Sequence, residues 1–112
     1  MEIIEGKRGD ITILELRGRL DASTSNRLEE KLLALIDSGK KQLIIDFTNV
    51  DYISSSGLRV LVIAAKKLKN VEGKIALSSM KDFIKGVFDI AGFSSIFPIF
   101  HSKEEAINYL QL

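Results

Sequence analysis

Tyr52-Ile53-Ser54-Ser55-Ser56-Gly57-Leu58 stands between two apolar segments of different character. Before it, Gln42-Leu43-Ile44-Ile45-Asp46-Phe47 is apolar except near its ends, as expected of a central strand covered on both faces. After it, Leu58 to Leu68 is apolar almost all round at first and then gains Lys66, Lys67 and Lys69, which reads as a helix. Three hydroxyls and a glycine therefore sit where a strand hands over to a helix. A helix start leaves its first N–H groups unpartnered and carries partial positive charge. A serine there can cap the helix, accept a phosphate or act as a nucleophile.

The segments on either side extend the alternation. Glu2 to Arg8 and Ile11 to Arg17 are predicted strands joined by Gly9-Asp10, and together they form an expected opening hairpin. Gly18-Arg19-Leu20-Asp21 leads into a helix with Leu28, Leu32, Leu33, Leu35 and Ile36 as its apolar stripe. Asp21, Ser23 or Thr24 is its candidate cap, and Ser38-Gly39 closes it. Lys74 to Leu77 reads as a fourth strand, and Ser78 or Ser79 as the cap of a helix from Met80 to about Ala91. Ile96 to Phe100, interrupted by Pro98, is a predicted edge strand. Ser102 and Glu105 have capping-box spacing at the start of a terminal helix. The fold class is thus α/β, a mixed sheet of about four to five strands flanked by about four helices. Residues 1–112 read as a single domain, without a repeat or linker.

Composition narrows the function. Sixteen Lys+Arg against fifteen Asp+Glu leave a net charge of +1, so no strong field recruits nucleic acid or an anionic membrane. The absence of cysteine excludes thiolate metal sites and thiol nucleophiles, and one histidine leaves little for any other metal. No cofactor is expected. Neither a signal peptide nor an apolar run of roughly 18 residues is evident, so the expected setting is the cytoplasm. The lysines at 66, 67 and 69 read as a solvated helix face. Phe88, Phe93, Ile96, Phe97 and Phe100 read as core and helix-packing residues.

A hydrolase elbow would need Gly-x-Ser-x-Gly, and here the glycine follows three serines with no upstream mate. The only candidate base is His101, far along the chain, so the sequence does not propose an enzyme. A cap uses one serine and leaves the other two unexplained. A phosphate acceptor uses more of the run, with one hydroxyl outward and a neighbour capping the helix, while Gly57 keeps the backbone open. On the residues alone both readings stay open.

The whole chain resembles the STAS domain, in particular the free-standing bacterial anti-sigma factor antagonists. Four stretches carry the likeness. Gly18-Arg19-Leu20-Asp21 with Thr24 is similar to the family's Gly-x-Leu-Asp-x-x-Thr. Leu43 to Phe47 continues through Val50-Asp51-Tyr52-Ile53 into Ser54-Ser55-Ser56-Gly57-Leu58, which is similar to Asp-Ser-Ser/Thr/Ala-Gly-Leu. Phe83, Val87-Phe88-Asp89, Gly92-Phe93, Ile96-Phe97, Ser102 and Glu105-Ala106 complete it. The resemblance implies a protein whose unphosphorylated form binds an anti-sigma factor that is also a serine kinase, freeing a sigma factor. Phosphorylation, opposed by a serine phosphatase, would end the binding. It places the phosphoserine on Ser55, with Ser54 and Ser56 as the alternatives, and lines the site with Asp21, Thr24, Ser54, Ser56, Gly57 and Arg59. A monomer or weak dimer is expected. The chain departs from the pattern at Ser54, where the family has aspartate, and at Arg59, where a small residue is usual. The alternative the fold leaves is a scaffold or regulatory subunit of a signalling or transporter assembly, without a working phosphosite.

Overall fold

The computed structural model describes residues 1–111. Strands β1 (Glu2–Arg8) and β2 (Ile11–Leu20) pair antiparallel around Gly9, whose φ of +59° is the left-handed conformation such a tight turn needs. Helix α1 (Ser25–Asp37) then returns the chain to β3 (Gln42–Ile53), which lies parallel to β2. Helix α2 (Ser55–Asn70) connects β3 to its other parallel neighbour, β4 (Lys74–Ser78). Helix α3 (Asp82–Ile90) and a 3-10 turn (Phe93–Ser95) precede the two-residue strand β5 (Ile99–Phe100), and α4 (Lys103–Gln111) ends the described chain. The five strands lie in the order β1-β2-β3-β4-β5, so β5 is an edge strand as expected, with Pro98 just before it.

Each strand sends alternate side chains to opposite faces. On one face Leu14, Leu16 and Leu20 of β2, Leu43, Ile45 and Phe47 of β3, and Leu77 of β4 meet the apolar stripes of α1, α2 and α3. On the other face Ile11, Ile13, Ile44 and Ala76 meet a single helix, α4, through Ala106, Ile107 and Leu110, with Phe100 packed alongside. This second core is small and covers the sheet only in part. Phe88 anchors α3, edge-to-face with Phe47 at 5.8 Å and with Phe97 at 6.4 Å.

Several boundaries differ from those read from the sequence. Strand β2 continues past Arg17 to Leu20, and β3 past Phe47 to Ile53. Pairing of β3 with β4 ends at Asp46 and Ser78, so the remainder of β3 pairs with β2 alone. No helix covers its second face there, which is why Thr48, Asn49, Asp51 and Tyr52 are exposed and break the apolar run. Ser78 belongs to β4 rather than capping a helix, Ser79 has φ +65°, and Lys81 is the N-cap residue of α3 without a side-chain cap. The segment at 96–98 is turn; only Ile99 and Phe100 pair, with Leu77 and Ser78. Ser102 caps α4 as expected, accepting from the Glu105 amide at 3.1 Å. Of the five residues read as core or packing, Phe88 and Phe97 are buried, Phe93 and Phe100 half-buried, and Ile96 is exposed.

Candidate functional site

Two chain segments build the end of the sheet that carries the serine run. The Ser54 amide donates to the Leu20 carbonyl at 2.9 Å, which fixes the end of β3 against the end of β2 and brings Asp21 to the same end. Helix α2 begins immediately, and its first turn comes so close to β2 that a Cβ on Gly57 would lie 2.7 Å from Leu20 Cγ and 3.1 Å from Ile53 Cγ1. Gly57 is buried. Its function is close packing, not the open backbone expected from the sequence. Gly57→Ala is expected to destabilise the protein by about 1–2 kcal/mol, because the overlap outweighs the helix propensity gained, and denaturant melts would measure it.

The three serines have different environments. Ser54 is the N-cap residue, in extended conformation, with its hydroxyl 3.4 Å from the Gly57 amide. The Ser54 and Ser56 hydroxyls bond to each other at 2.7 Å, and both residues are half-buried. Ser55, the first residue of α2, is exposed, and its hydroxyl makes no hydrogen bond among the described residues. Arg59 is exposed on α2 four positions later, which puts it on the same helix face as Ser55. No hydrogen bond joins His101 to the run. His101 instead lines a cavity of about 270 Å³ with Met80, Asp82 and Lys85.

Asp21 and Thr24 do not cap α1 with their side chains. Thr24 Oγ1 donates to the Arg19 carbonyl at 2.7 Å and accepts from the Asp21 amide at 2.9 Å, closing the turn after β2. Asp21 Oδ1 accepts from the Ser23 hydroxyl and amide at 2.7 and 3.0 Å. These bonds, the Ser23 hydroxyl first, hold the Asp21 carboxyl below its ordinary range. The carboxylate makes no hydrogen bond to the serine run; its partners are Ser23, Thr24 and Arg19.

Beside these residues lies a pair that sequence reasoning did not nominate. The Arg19 guanidinium stacks 4.0 Å from the centre of the Tyr52 ring, and Arg19 Nε lies 3.5 Å from Asp21 Oδ2. Arg19 and Tyr52 are cross-strand partners, and both are exposed. Further along the same face Glu15 is held below the usual range by Arg17 and then Asn49, as Asp89 on α3 is by Lys85 and Ser94. A depressed carboxyl contributes stability above the unfolded value and loses it as pH falls through the folded one. Stability is therefore expected to decline below about pH 4, and Asp21→Asn to flatten part of that decline in thermal melts recorded across pH.

Ser55 and Arg59 are exposed on α2, Arg19 and Tyr52 are exposed at the neighbouring strand ends, and among the described residues no group of three or more His, Asp or Glu gathers as for a metal. No described helix is long and apolar enough to cross a membrane.

The STAS domain model matches residues 3–106. BtrV of Bordetella bronchiseptica, provisionally named an anti-sigma factor antagonist, is 38% identical over 106 residues, covering 95% of this chain and 91% of its own. A crystal structure from Thermotoga maritima, of a protein provisionally described as an anti-sigma factor antagonist, superposes with a TM-score of 0.94 at 19% identity, covering 98% of this chain and 95% of that one. The Bacillus cell-fate determinant SpoIIAA, solved in its phosphorylated form, gives 0.76 at 21% identity, covering 96% and 98%. This chain belongs to the STAS domain family, and its mixed five-stranded sheet with an opening hairpin is the fold shared with those structures.

Proposed function

We propose that this protein is an anti-sigma factor antagonist whose docking surface is centred on Ser55. Unphosphorylated, it binds an anti-sigma factor that is also a serine kinase; phosphorylation of Ser55 ends the binding, and a serine phosphatase restores it. The observation that carries this reading is the division of labour in the run. Ser54 and Ser56 engage each other, and only Ser55 offers an exposed, unbonded hydroxyl at the start of α2. The name of BtrV and the phosphorylated state of SpoIIAA support it. Partial positive charge at the helix start accommodates a phosphate without rearranging the backbone, and Arg59 on the same face adds a cation.

Intact-mass analysis after incubation with ATP and each anti-sigma-type kinase of the source organism tests the proposal. One added phosphate mapped to Ser55, absent in Ser55→Ala and present in Ser56→Ala, is the expected result. Incorporation at Ser54 or Ser56 would displace the assignment. No incorporation with any kinase would favour the second reading, a scaffold or regulatory subunit, to which the serine at position 54 in place of an acid lends support.

A further inference from the structure

At the opposite end of the sheet, where β2, β3 and β4 begin, a cleft of about 410 Å³ is lined by Lys7, Lys40, Lys41 and Lys74 against Asp10 and Glu72. The chain as a whole is close to neutral. Four lysines against two acids give the cleft an excess of positive charge that the remainder of the chain does not share. None of the four takes part in an ion pair among the described residues, whereas Lys31 and Lys85 elsewhere do.

The cleft is built rather than incidental. The Lys74 amide donates to the Lys41 carbonyl at 2.7 Å, locking the starts of two neighbouring strands together. A Cβ on Gly73 would lie 2.7 Å from that same carbonyl, so only glycine lets the turn after α2 approach it. Glu72, just before, is held at φ +59°. Lys40 and Lys41 follow the end of α1, where the Lys40 amide donates to the Leu35 carbonyl, and Lys74 follows the end of α2, whereas Lys7 comes from β1, away from any helix end.

We infer that this cleft docks an acidic segment of a partner protein, on a surface separate from the serine run. The lining contains no aromatic side chain on which a nucleobase would stack and no large apolar one to enter a bilayer. What remains is a concave cationic surface whose two acids, Asp10 and Glu72, set the register of an incoming run of carboxylates.

Titration of the isotope-labelled full chain with a short glutamate peptide at low salt, followed by amide NMR shifts, tests this. Shifts confined to Lys7, Gly39 to Lys41 and Glu72 to Lys74 are expected, with at least a tenfold loss of affinity in Lys41→Glu/Lys74→Glu and none in Lys85→Glu. Raising the salt should weaken binding in wild type. Absent shifts, shifts spread over all surface lysines, or tighter lysine-dependent binding to phosphatidylserine vesicles or oligothymidylate would each overturn the inference. The shift map needs no variant, and thermal melts establish that each variant is folded. Phosphate incorporation at Ser55 is a separate readout, so failure here and failure of the proposed function are told apart.

Discussion

Phosphorylation of Ser55 is expected to weaken binding to the cognate anti-sigma factor by more than a hundredfold, and Ser55→Asp to reproduce much of that loss. The magnitude follows from what the site contains. A phosphate brings about −1.5 to −2 charges to an exposed helix start, and docking would have to strip its water. Desolvating one imperfectly paired charge costs several kcal/mol, and every 1.4 kcal/mol is a factor of ten in affinity. Arg59 does not cancel this, since an exposed pair contributes only about 0.2–1 kcal/mol. Asp21, at the same end of the sheet, is ion-paired with Arg19 and offers a phosphate no hydrogen-bond donor from its carboxylate. Calorimetric titration of wild-type, Ser55→Ala, Ser55→Asp and enzymatically phosphorylated protein separates the charge from the hydroxyl. Equal affinities across the four would sink the switch.

Phe88→Ala is expected to have the largest effect on stability, about 3–5 kcal/mol. Phe88 is fully buried and packs edge-to-face with rings from two different parts of the chain, Phe47 on β3 and Phe97 just before β5. Truncation would leave a cavity that neither the strand nor the turn can close. Against a typical total of about 5–15 kcal/mol this is a large fraction, and the melting temperature should fall by more than about 10 °C. Phe83→Ala, on the same helix but 58% exposed, should change stability by no more than about 0.5 kcal/mol. Scanning calorimetry of the two variants side by side makes the comparison. Equal losses would mean that α3 is seated differently from the description above.

Much of the architecture was legible because hydrophobic period changes sharply at the places that matter. The step from the continuous apolar run at 43–45 to the helical pattern after Gly57 marks the βα junction without ambiguity. What could not be read depended on pairing. Gly18 looks like a breaker, yet β2 continues through it at φ +105°. The β2–β3 register shifts between Glu15 and Arg17 and again between Gly18 and Arg19, and the second shift sets Arg19 opposite Tyr52. No spacing rule applied to either segment alone would join those two residues. The serine run was legible as a site, but the individual roles of its hydroxyls were not. Those roles rest on a side-chain bond between positions 54 and 56, which leaves 55 free. Ser23 and Thr24 looked like caps for α1 and instead bond within the turn that carries Asp21.

The lone helix on the second face of the sheet has a consequence for how the native state breathes. Helix α4 is held by three buried side chains over a small apolar floor, whereas α1, α2 and α3 share one continuous core. Local opening free energy follows the apolar contact that must be undone. Detaching α4 uncovers that floor, parts Tyr109 from Phe100 and severs the Arg8–Glu104 pair and the Gln42–Leu110 bond, while the first three helices keep the core they share with the sheet. Amide protons of α4 therefore exchange through a partial opening well below the global limit. The central strands, packed on the larger core, are expected to stay protected until the whole protein unfolds.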